Sequence, residues 1–322
     1  MKYPSLIRLT VVGFVMCASA KSSFGAVLYQ DNFDAGTSAG AWTAVLSHAD
    51  ASANFAFDYG TVLGIPSAPN SGGSTIGMRF LANQSAGVQQ GISASPNGQS
   101  FTGDFTIRFD MWLNYNGPVG NPGGLPGGSG STQVGSFGWG TSGASAQWAG
   151  SSSSIMFGAT GDGGSASDYR LYRNNALVAA GPAYAAGSLN NTAVYYTGLF
   201  GGQAAPAAQI GLFPGQTGVT DPGTLGFKWR DVVVQKTGTI LTWSVDGNLI
   251  ATGDSAAATL SGDNIFFGIF DINASSSTDV NDHLITAVYD NIVVTQVPEP
   301  TAALLGGVGL SMMIGSLRRR RS

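Results

Sequence analysis

The chain has 322 residues, 43% of them apolar and only 10% charged, against roughly a quarter charged in ordinary globular domains. Its formal net charge of -4 is unevenly spread: residues 27–296 carry seventeen aspartates against seven basic residues, a net charge of about -10, and the remaining basic residues crowd the two ends. A body of that sign repels phosphate backbones and excludes nucleic acid as a partner, whereas divalent cations and neutral polymers stay compatible with it.

The length can bury one substantial core and does not force a second domain. Forty-eight glycines, with many Ser, Thr and Asn, stand where charged residues would otherwise be. That is the composition of an extracellular all-β protein rich in turns. The N-terminus reads as a signal peptide over residues 1–25: Lys2 and Arg8 give a positive start, residues 6–16 are apolar, and Ala18-Ser19-Ala20 offers a small-residue cleavage site. Cleavage after Ala20 and cleavage after Gly25 both satisfy the pattern. Cys17, the only cysteine, falls inside this segment, and Met16 before it does not suit lipid attachment. The mature protein is therefore expected to have no disulfide and no thiolate chemistry.

From residue 27 to 296 no helical periodicity longer than about ten residues is present, and short alternating segments recur between Gly, Asn and Asp. Early strands are predicted over 27–33, 54–59 and 75–81. The clearest is 104–114, where Phe105, Ile107, Phe109, Met111 and Leu113 share one face, and Thr106, Arg108, Asp110, Trp112 and Asn114 the other. Residues 117–154 are too rich in Gly and Ser for a regular strand pair and read as a long loop. The loop is either merely solvated, or it presents Phe137, Trp139 and Trp148 as rings for stacking on sugars. A similar loop follows at 159–168. Residues 228–234 and 239–251 read as a hairpin about Lys236-Thr237-Gly238, with a second turn signal at Asp246-Gly247. Strands at 264–271 and 284–295 flank an acidic loop holding Asp271, Asn273, Asp279 and Asp282. The expected fold is an all-β antiparallel β-sandwich over residues 26–296.

The last segment, 297–322, has its own character. Residues 301–317 form an apolar run that would span roughly 25 Å as a helix, the short limit for crossing a membrane. Arg318, Arg319, Arg320 and Arg321 behind it would stay cytoplasmic and leave the body outside the inner membrane. Taken alone, this is a single-pass transmembrane anchor. Pro298-Glu299-Pro300, a short Gly-rich apolar run and the arginine cluster, in that order, resemble the PEP-CTERM sorting signal of Gram-negative bacteria. The resemblance implies recognition of Pro298, Glu299 and Pro300 by an exosortase-type membrane protease. It also implies transient anchoring in the inner membrane and delivery to the cell surface or an exopolysaccharide matrix, as in biofilm. Two prolines keep such a motif extended, which suits a protease groove.

Parts of the body resemble the concanavalin A-like, laminin-G-like jelly roll. Tyr29-Gln30-Asp31-Asn32-Phe33-Asp34 with Trp42 is similar to that family's first strand and first buried tryptophan. Trp229-Arg230-Asp231-Val232-Val233-Val234 leading to Trp243-Ser244-Val245-Asp246-Gly247 is similar to its central hairpin, and residues 288–294 to its closing strand. The resemblance implies one structural calcium ion, held by Asp290 on the last strand with Asp31 or its neighbours; the plainer reading of Asp290 is a carboxylate pairing with backbone at a strand end. Calcium suits the composition, since it takes oxygens of Asp, Asn and carbonyls. The acidic loop at 271–282 departs from the order of lectin metal loops and reads equally as an Asx-rich turn.

The β-glucanases of this fold carry a Glu-x-Asp-x-x-Glu strand. Glu299 is the only glutamate of this chain, so that mechanism is excluded from the body. Asp104 and Asp110 share a strand face but stand roughly 20 Å apart along it, too far for joint acid–base work. His48 and His283 are the only histidines, neither lies in a nucleophile motif, and zinc sites of His and Cys are excluded with them. The Gly-rich runs lack the lysine and helix that cradle phosphate. The expected function is a non-catalytic structural or glycan-binding protein, with Trp112, Trp139 and Trp148 as candidate sugar contacts. A divergent Asp-based glycan hydrolase or lyase and a permanently tethered adhesin are the alternatives.

Overall fold

The computed structural model describes residues 25–84, 87–115, 133–216, 218–273 and 284–298. In chain order its strands begin with β1 (Val27–Asp31), β2 (Trp42–Leu46), β3 (Ser52–Asp58), β4 (Ile76–Leu81), β5 (Gln90–Pro96), β6 (Phe105–Asn114), β7 (Gln133–Thr141) and β8 (Ile155–Ala159). They continue with β9 (Tyr169–Arg173), β10 (Ala176–Leu177), β11 (Arg230–Thr237), β12 (Ile240–Val245), β13 (Asn248–Asp254), β14 (Asn264–Asp271) and β15 (Thr286–Gln296). Short helices α1 (Ser38–Ala41), α2 (Tyr59–Leu63), α3 (Val194–Leu199) and α4 (Ala207–Leu212) lie in the connections. The predicted signal helix and membrane helix fall outside the described residues. Among the described residues no helix is long and apolar enough to cross a membrane.

The strands pair antiparallel in two sheets that form the expected jelly-roll sandwich, within one compact unit, Ala26–Val297. The first sheet runs β13-β12-β11-β6-β15-β4-β3, and the second β10-β9-β8-β7-β14-β5-β2. β15 is long enough to hold two partners end to end on one edge. Its first half pairs with β4 and its second half with β1, while β6 lines its other edge. Between these halves the register shifts, and Asn291 takes a left-handed φ of 54°.

The alternation predicted for β6 is what builds the core. Phe105, Ile107, Phe109, Met111 and Leu113 are all buried between the sheets. Phe109 sits at the centre, with ring centroids 4.9 Å from Phe137 of β7, 4.8 Å from Phe267 of β14 and 5.8 Å from Tyr289 of β15. The Tyr289 hydroxyl lies 2.8 Å from the Gly268 carbonyl and 3.0 Å from that of Ser136, so its single proton serves carbonyls of the opposite sheet. The predicted hairpin is in fact a three-stranded meander, β11–β12–β13. Its second turn, Asp246-Gly247, has φ of 50° and 78°, as a two-residue turn of that composition requires.

One expectation fails. Residues 133–141, read as part of a Gly/Ser loop, form β7, a central strand of the second sheet. The glycines are there for close approach. A Cβ on Gly138 would lie 2.1 Å from the Ile155 carbonyl oxygen and 2.9 Å from the Phe266 ring, and one on Gly135 would meet Leu113 at 2.4 Å. Phe137 and Trp139 then alternate inward into the core.

Both sheets also carry apolar residues on their outer faces. On the first sheet Trp112 and Val288 are covered by Tyr59, Leu63, Ile65 and Ala68 from α2 and the chain after it, with Phe227 and Trp229. On the second sheet Val134, Met156, Tyr172, Phe266 and Phe270 form a cluster against which Trp148 packs.

Candidate functional site

The outer face of the first sheet is divided. Along β6 the outward residues pass from Thr106 and Arg108, which reach solvent, to Asp110 and Trp112, which do not. Over the open half lies a groove of about 840 Å³ between β1, β15, β6 and the loop after β1. Its lining carries amides and hydroxyls, among them Gln30, Asn32, Asn70, Asn291, Thr106 and Thr295, with the carboxylate of Asp31 and the guanidinium of Arg108, set between apolar stretches at Ala35, Ala41, Ile292 and Val293.

Three carboxylates in a row are bonded to residues of this lining: Asp231 to Arg108, Asp110 to Asn70 and Asn291, and Asp290 to Asn291. Asp290, Asp110 and Asp231 are register partners on β15, β6 and β11, so neighbours stand roughly 5 Å apart at their backbones. Asp231, nearest solvent, takes a bidentate pair from Arg108, at 2.7 Å from Nε and 3.0 Å from Nη2. Asp110 and Asp290 are fully buried. Asn70 donates to Asp110 through its backbone N–H at 3.2 Å and Nδ2 at 2.9 Å, and Asn291 Nδ2 donates at 2.8 Å. Asp290 accepts from the Asn291 N–H at 2.7 Å and faces the Tyr59 hydroxyl at 2.9 Å. Asn291 thus bridges both carboxylates, and its left-handed backbone is what lets it do so.

Burial pushes both acids toward the protonated form. For Asp290 burial is the main cause, the charges of Asp110 and Asp34 add to it, and the bonds from Tyr59 and Asn291 pull back; the result is about 7. Asp110 is also raised by burial, against the opposing bonds from Asn291 and Asn70. This pair was not seen in the sequence because Asp110 was weighed with Asp104, its neighbour along the strand. Asp104 instead accepts from the Gly238 N–H at 2.8 Å at the far end of β6. Cross-strand register, absent from local sequence, brings Asp110 to Asp290.

The expected metal pair is divided. Asp31 and Asp290 are close in the β1–β15 register, where Asp31 opposes Ile292. The Asp31 carboxylate, however, accepts from Phe33 N–H, Ser38 Oγ and Trp42 Nε1 at 2.8, 2.8 and 2.9 Å. A cation at Asp31 would compete with these donors; the charge of Asp34, which itself accepts from Asn32 Nδ2 and Ser74 Oγ, also bears on Asp290. Among the described residues no group of three or more His, Cys, Asp or Glu side chains is placed to hold a metal.

The three tryptophans do not line one face. Trp112 is buried at 1% exposure under the cover of the first sheet, with Nε1 donating to Asn114 Oδ1 at 3.0 Å. Trp139 is buried at 4% in the main core, with Nε1 directed to the carbonyls of Phe101 and Asp263. Trp148 is half-buried on the second sheet. Neither Trp112 nor Trp139 has a ring face for a sugar. Alternation put Trp112 correctly outward, but nothing local revealed that residues 59–68 would cover it. Pro298 is exposed; Glu299, Pro300, Arg318, Arg319, Arg320, Arg321 and His283 lie outside the described residues. His48 is exposed, with Nδ1 accepting from the Asp50 N–H.

The sequence matches no protein-family model and no curated protein. Among solved structures the chain is similar to the carbohydrate recognition domain of Emp47p, with 10% identity, 81% of this chain and 99% of that one covered, and a TM-score of 0.34. It is also similar to a Bacillus subtilis protein with a galectin-like fold, at 11% identity, 85% and 97% coverage and a TM-score of 0.37. The Bacillus licheniformis β-glucanase gives 11% identity, 86% and 100% coverage and a TM-score of 0.41. Likeness at this level says nothing about ligand or chemistry.

Proposed function

We propose that this is an exported, non-catalytic glycan-binding protein of the cell surface or exopolysaccharide matrix, sorted through its PEP-CTERM-like tail. The observation that carries the binding reading is the groove on the first sheet. Amides and hydroxyls, one guanidinium balanced by the Asp31 carboxylate, and apolar patches between them suit an uncharged polyhydroxylated chain, which offers many hydrogen bonds and apolar C–H faces but no charge to neutralise. The body's net negative charge agrees with a neutral polymer. Arg108 keeps further N–H donors beyond those given to Asp231, and Gln30 and Asn32 are exposed at the mouth.

A glycan array and a pull-down on matrix polysaccharide with the full chain test this. We expect binding that falls roughly two- to tenfold in each of Arg108→Ala and Asn70→Ala, the effect of one lost hydrogen bond. Absence of binding above control would leave a purely structural role. For the sorting reading, mass spectrometry of the mature protein should find a C-terminus near Pro298 to Pro300. An intact end at Ser322 would leave the permanently tethered adhesin.

Calcium belongs to the same proposal at Asp290 with Asp34, where a cation would relieve the mutual repulsion of buried acids. The enzymatic alternative also has an observation in its favour, the neighbouring carboxylates of Asp110 and Asp290. Both are buried and directed to their own donors, so we expect no release of reducing ends from polysaccharide. Activity lost in Asp110→Asn would establish the hydrolase.

A further inference from the structure

Three loops meet at the end of the sandwich away from any residue assigned above. They are residues 159–168 after β8, residues 189–192 before α3, and residues 219–227 before β11. Short bonds lock them together. Gly226 N–H donates to the Gly161 carbonyl at 2.8 Å, Asp221 N–H to that of Asp162 at 3.3 Å, and Asn191 N–H to the Asp168 carboxylate at 3.0 Å. Gly163, at φ 89°, has no room for a side chain: its Cβ would lie 2.8 Å from Thr224, 2.9 Å from Asp221 Cβ and 3.0 Å from Asn191 Nδ2.

Asn191 is the informative residue. It is 1% exposed, and its Nδ2 donates to the Pro222 carbonyl at 2.9 Å, which fixes the orientation of the amide. Its Oδ1 is buried and has no donor among the described residues. Leaving a buried acceptor unsatisfied costs roughly 1–3 kcal/mol, so a water or a bound ion is expected to complete it. The same amide abuts Asp221, whose backbone is tied to Asp162. The charges of both aspartates bear on the Tyr115 hydroxyl, which they and, chiefly, burial hold well above its ordinary range. Asp168 is spent as a clamp, accepting from Thr160 Oγ1 at 2.7 Å as well as from Asn191. The guanidinium that reaches this segment, Arg230, is spent on Asp246 and on the Thr224 and Leu225 carbonyls. Asp221 and Pro222 are exposed, so the cluster has an entry.

We propose that Asn191 Oδ1, Asp162 and Asp221 bind a calcium ion that staples these three loops, at a site separate from Asp290. Two carboxylates and a neutral amide oxygen are hard oxygen donors of the kind calcium takes, with water completing the shell. The site fell outside the sequence analysis because its ligands are separated by 29 and 30 residues and meet only through the loops.

Terbium, a calcium mimic, provides the test, because Tyr115 stands beside both aspartates and can sensitise its luminescence. With the full chain excited in the near ultraviolet, we expect terbium emission that excess calcium displaces. Emission should fall at least about twofold in Asp221→Asn, an exposed position whose substitution leaves the fold intact by circular dichroism, and should persist in Asp290→Asn. It should vanish only when the two substitutions are combined, since the Tyr59 hydroxyl, 2.9 Å from Asp290, can sensitise an ion there. In parallel, calcium should raise the Tm of the wild type and of Asp290→Asn, and the rise seen in the wild type should shrink in Asp221→Asn to what the Asp290 site alone supplies. No emission from the wild type would overturn the proposal. So would emission and a calcium shift indifferent to Asp221→Asn; loss in Asp290→Asn alone would assign the ion to the groove.

Discussion

Asp110 and Asp290 lie on neighbouring strands, whereas Asp162 and Asp221 lie on loops that touch only where the sandwich ends. On the strands, register sets a donor against each buried oxygen: Asn70 and Asn291 serve Asp110, and Tyr59 and Asn291 serve Asp290. In the loops Asp168 is held in that way, by Thr160 and Asn191; other donors go to the backbone carbonyls of Asp162, Asp221 and Pro222, and Asn191 Oδ1 receives none from the described residues. The first arrangement holds its charge by hydrogen bonds, and its acids answer to pH. The second leaves the Asn191 oxygen beside two aspartates and, on the proposal above, answers to a cation. An acidic protein can therefore use aspartate in two distinct ways, and the two should separate under titration.

The largest difference should appear with pH. A carboxyl whose pKa is raised in the folded state binds its proton more tightly there than in the unfolded chain. The associated stability is fully present below about pH 4 and is lost as the pH rises through about 7. A rise of about three units corresponds to roughly 4 kcal/mol, an upper figure because Asp110, Asp34 and Tyr59 all couple to Asp290. Urea unfolding of the full chain in a chelator should show stability falling between pH 4 and 8. Asp290→Asn should flatten that slope and be the more stable protein at pH 8. Asp221→Asn should leave the slope in place. Calcium at Asp290 would reverse the slope, since a bound cation favours the ionised acid, and this distinguishes the groove from the loop site.

Next in size is the loss of an acceptor. Asp110→Ala takes a buried acceptor from three donors of Asn70 and Asn291; Asn70 is exposed and Asn291 half-buried, so water replaces it in part, and the loss should be about 1–3 kcal/mol. Asp221→Ala in chelator should stay within about 0.5 kcal/mol, as for an exposed loop position. Equal losses in the two variants, measured by urea midpoint at constant slope, would erase the distinction between strand and loop.

How much of this was readable beforehand follows the same division. The strand at β6 was legible because its five inward residues alternate without interruption, and β14 because NIFFGIFD is bounded by turn residues. β7 was hidden because glycine is depleted in strands on average, and only the Ile155 carbonyl and the Phe266 ring explain why it is needed at Gly138. The outward face of β6 was assigned correctly, but none of the groove's amides, nor Arg108, stood out as a ligand contact, because single polar residues at strand edges carry no pattern. The partnership of Asp110 with Asp290 was not legible either, because 180 positions separate them and only register joins them. The uncharged stretch from 174 to 220 gave no pattern that predicted α3, α4 or the placement of Asn191.

The smallest effects concern the exposed rim and sharpen the contrast from the outside. Asn291 both bridges the acids and adopts φ 54°. Asn291→Gly removes the side-chain bond but keeps the conformation available, at about 1 kcal/mol. Asn291→Ala should cost about 1 kcal/mol more, because Ala is strained in the left-handed region. Arg108→Ala is expected to cost less than about 1 kcal/mol, since its pair with Asp231 is exposed and screened. Raising salt from 0.05 to 0.5 M, a range over which the screening length drops to a few Å, should remove even that difference. A larger, salt-independent loss in Arg108→Ala would mean that Arg108 supports the buried acids rather than the groove. Its effect on glycan binding could then no longer be read as a contact.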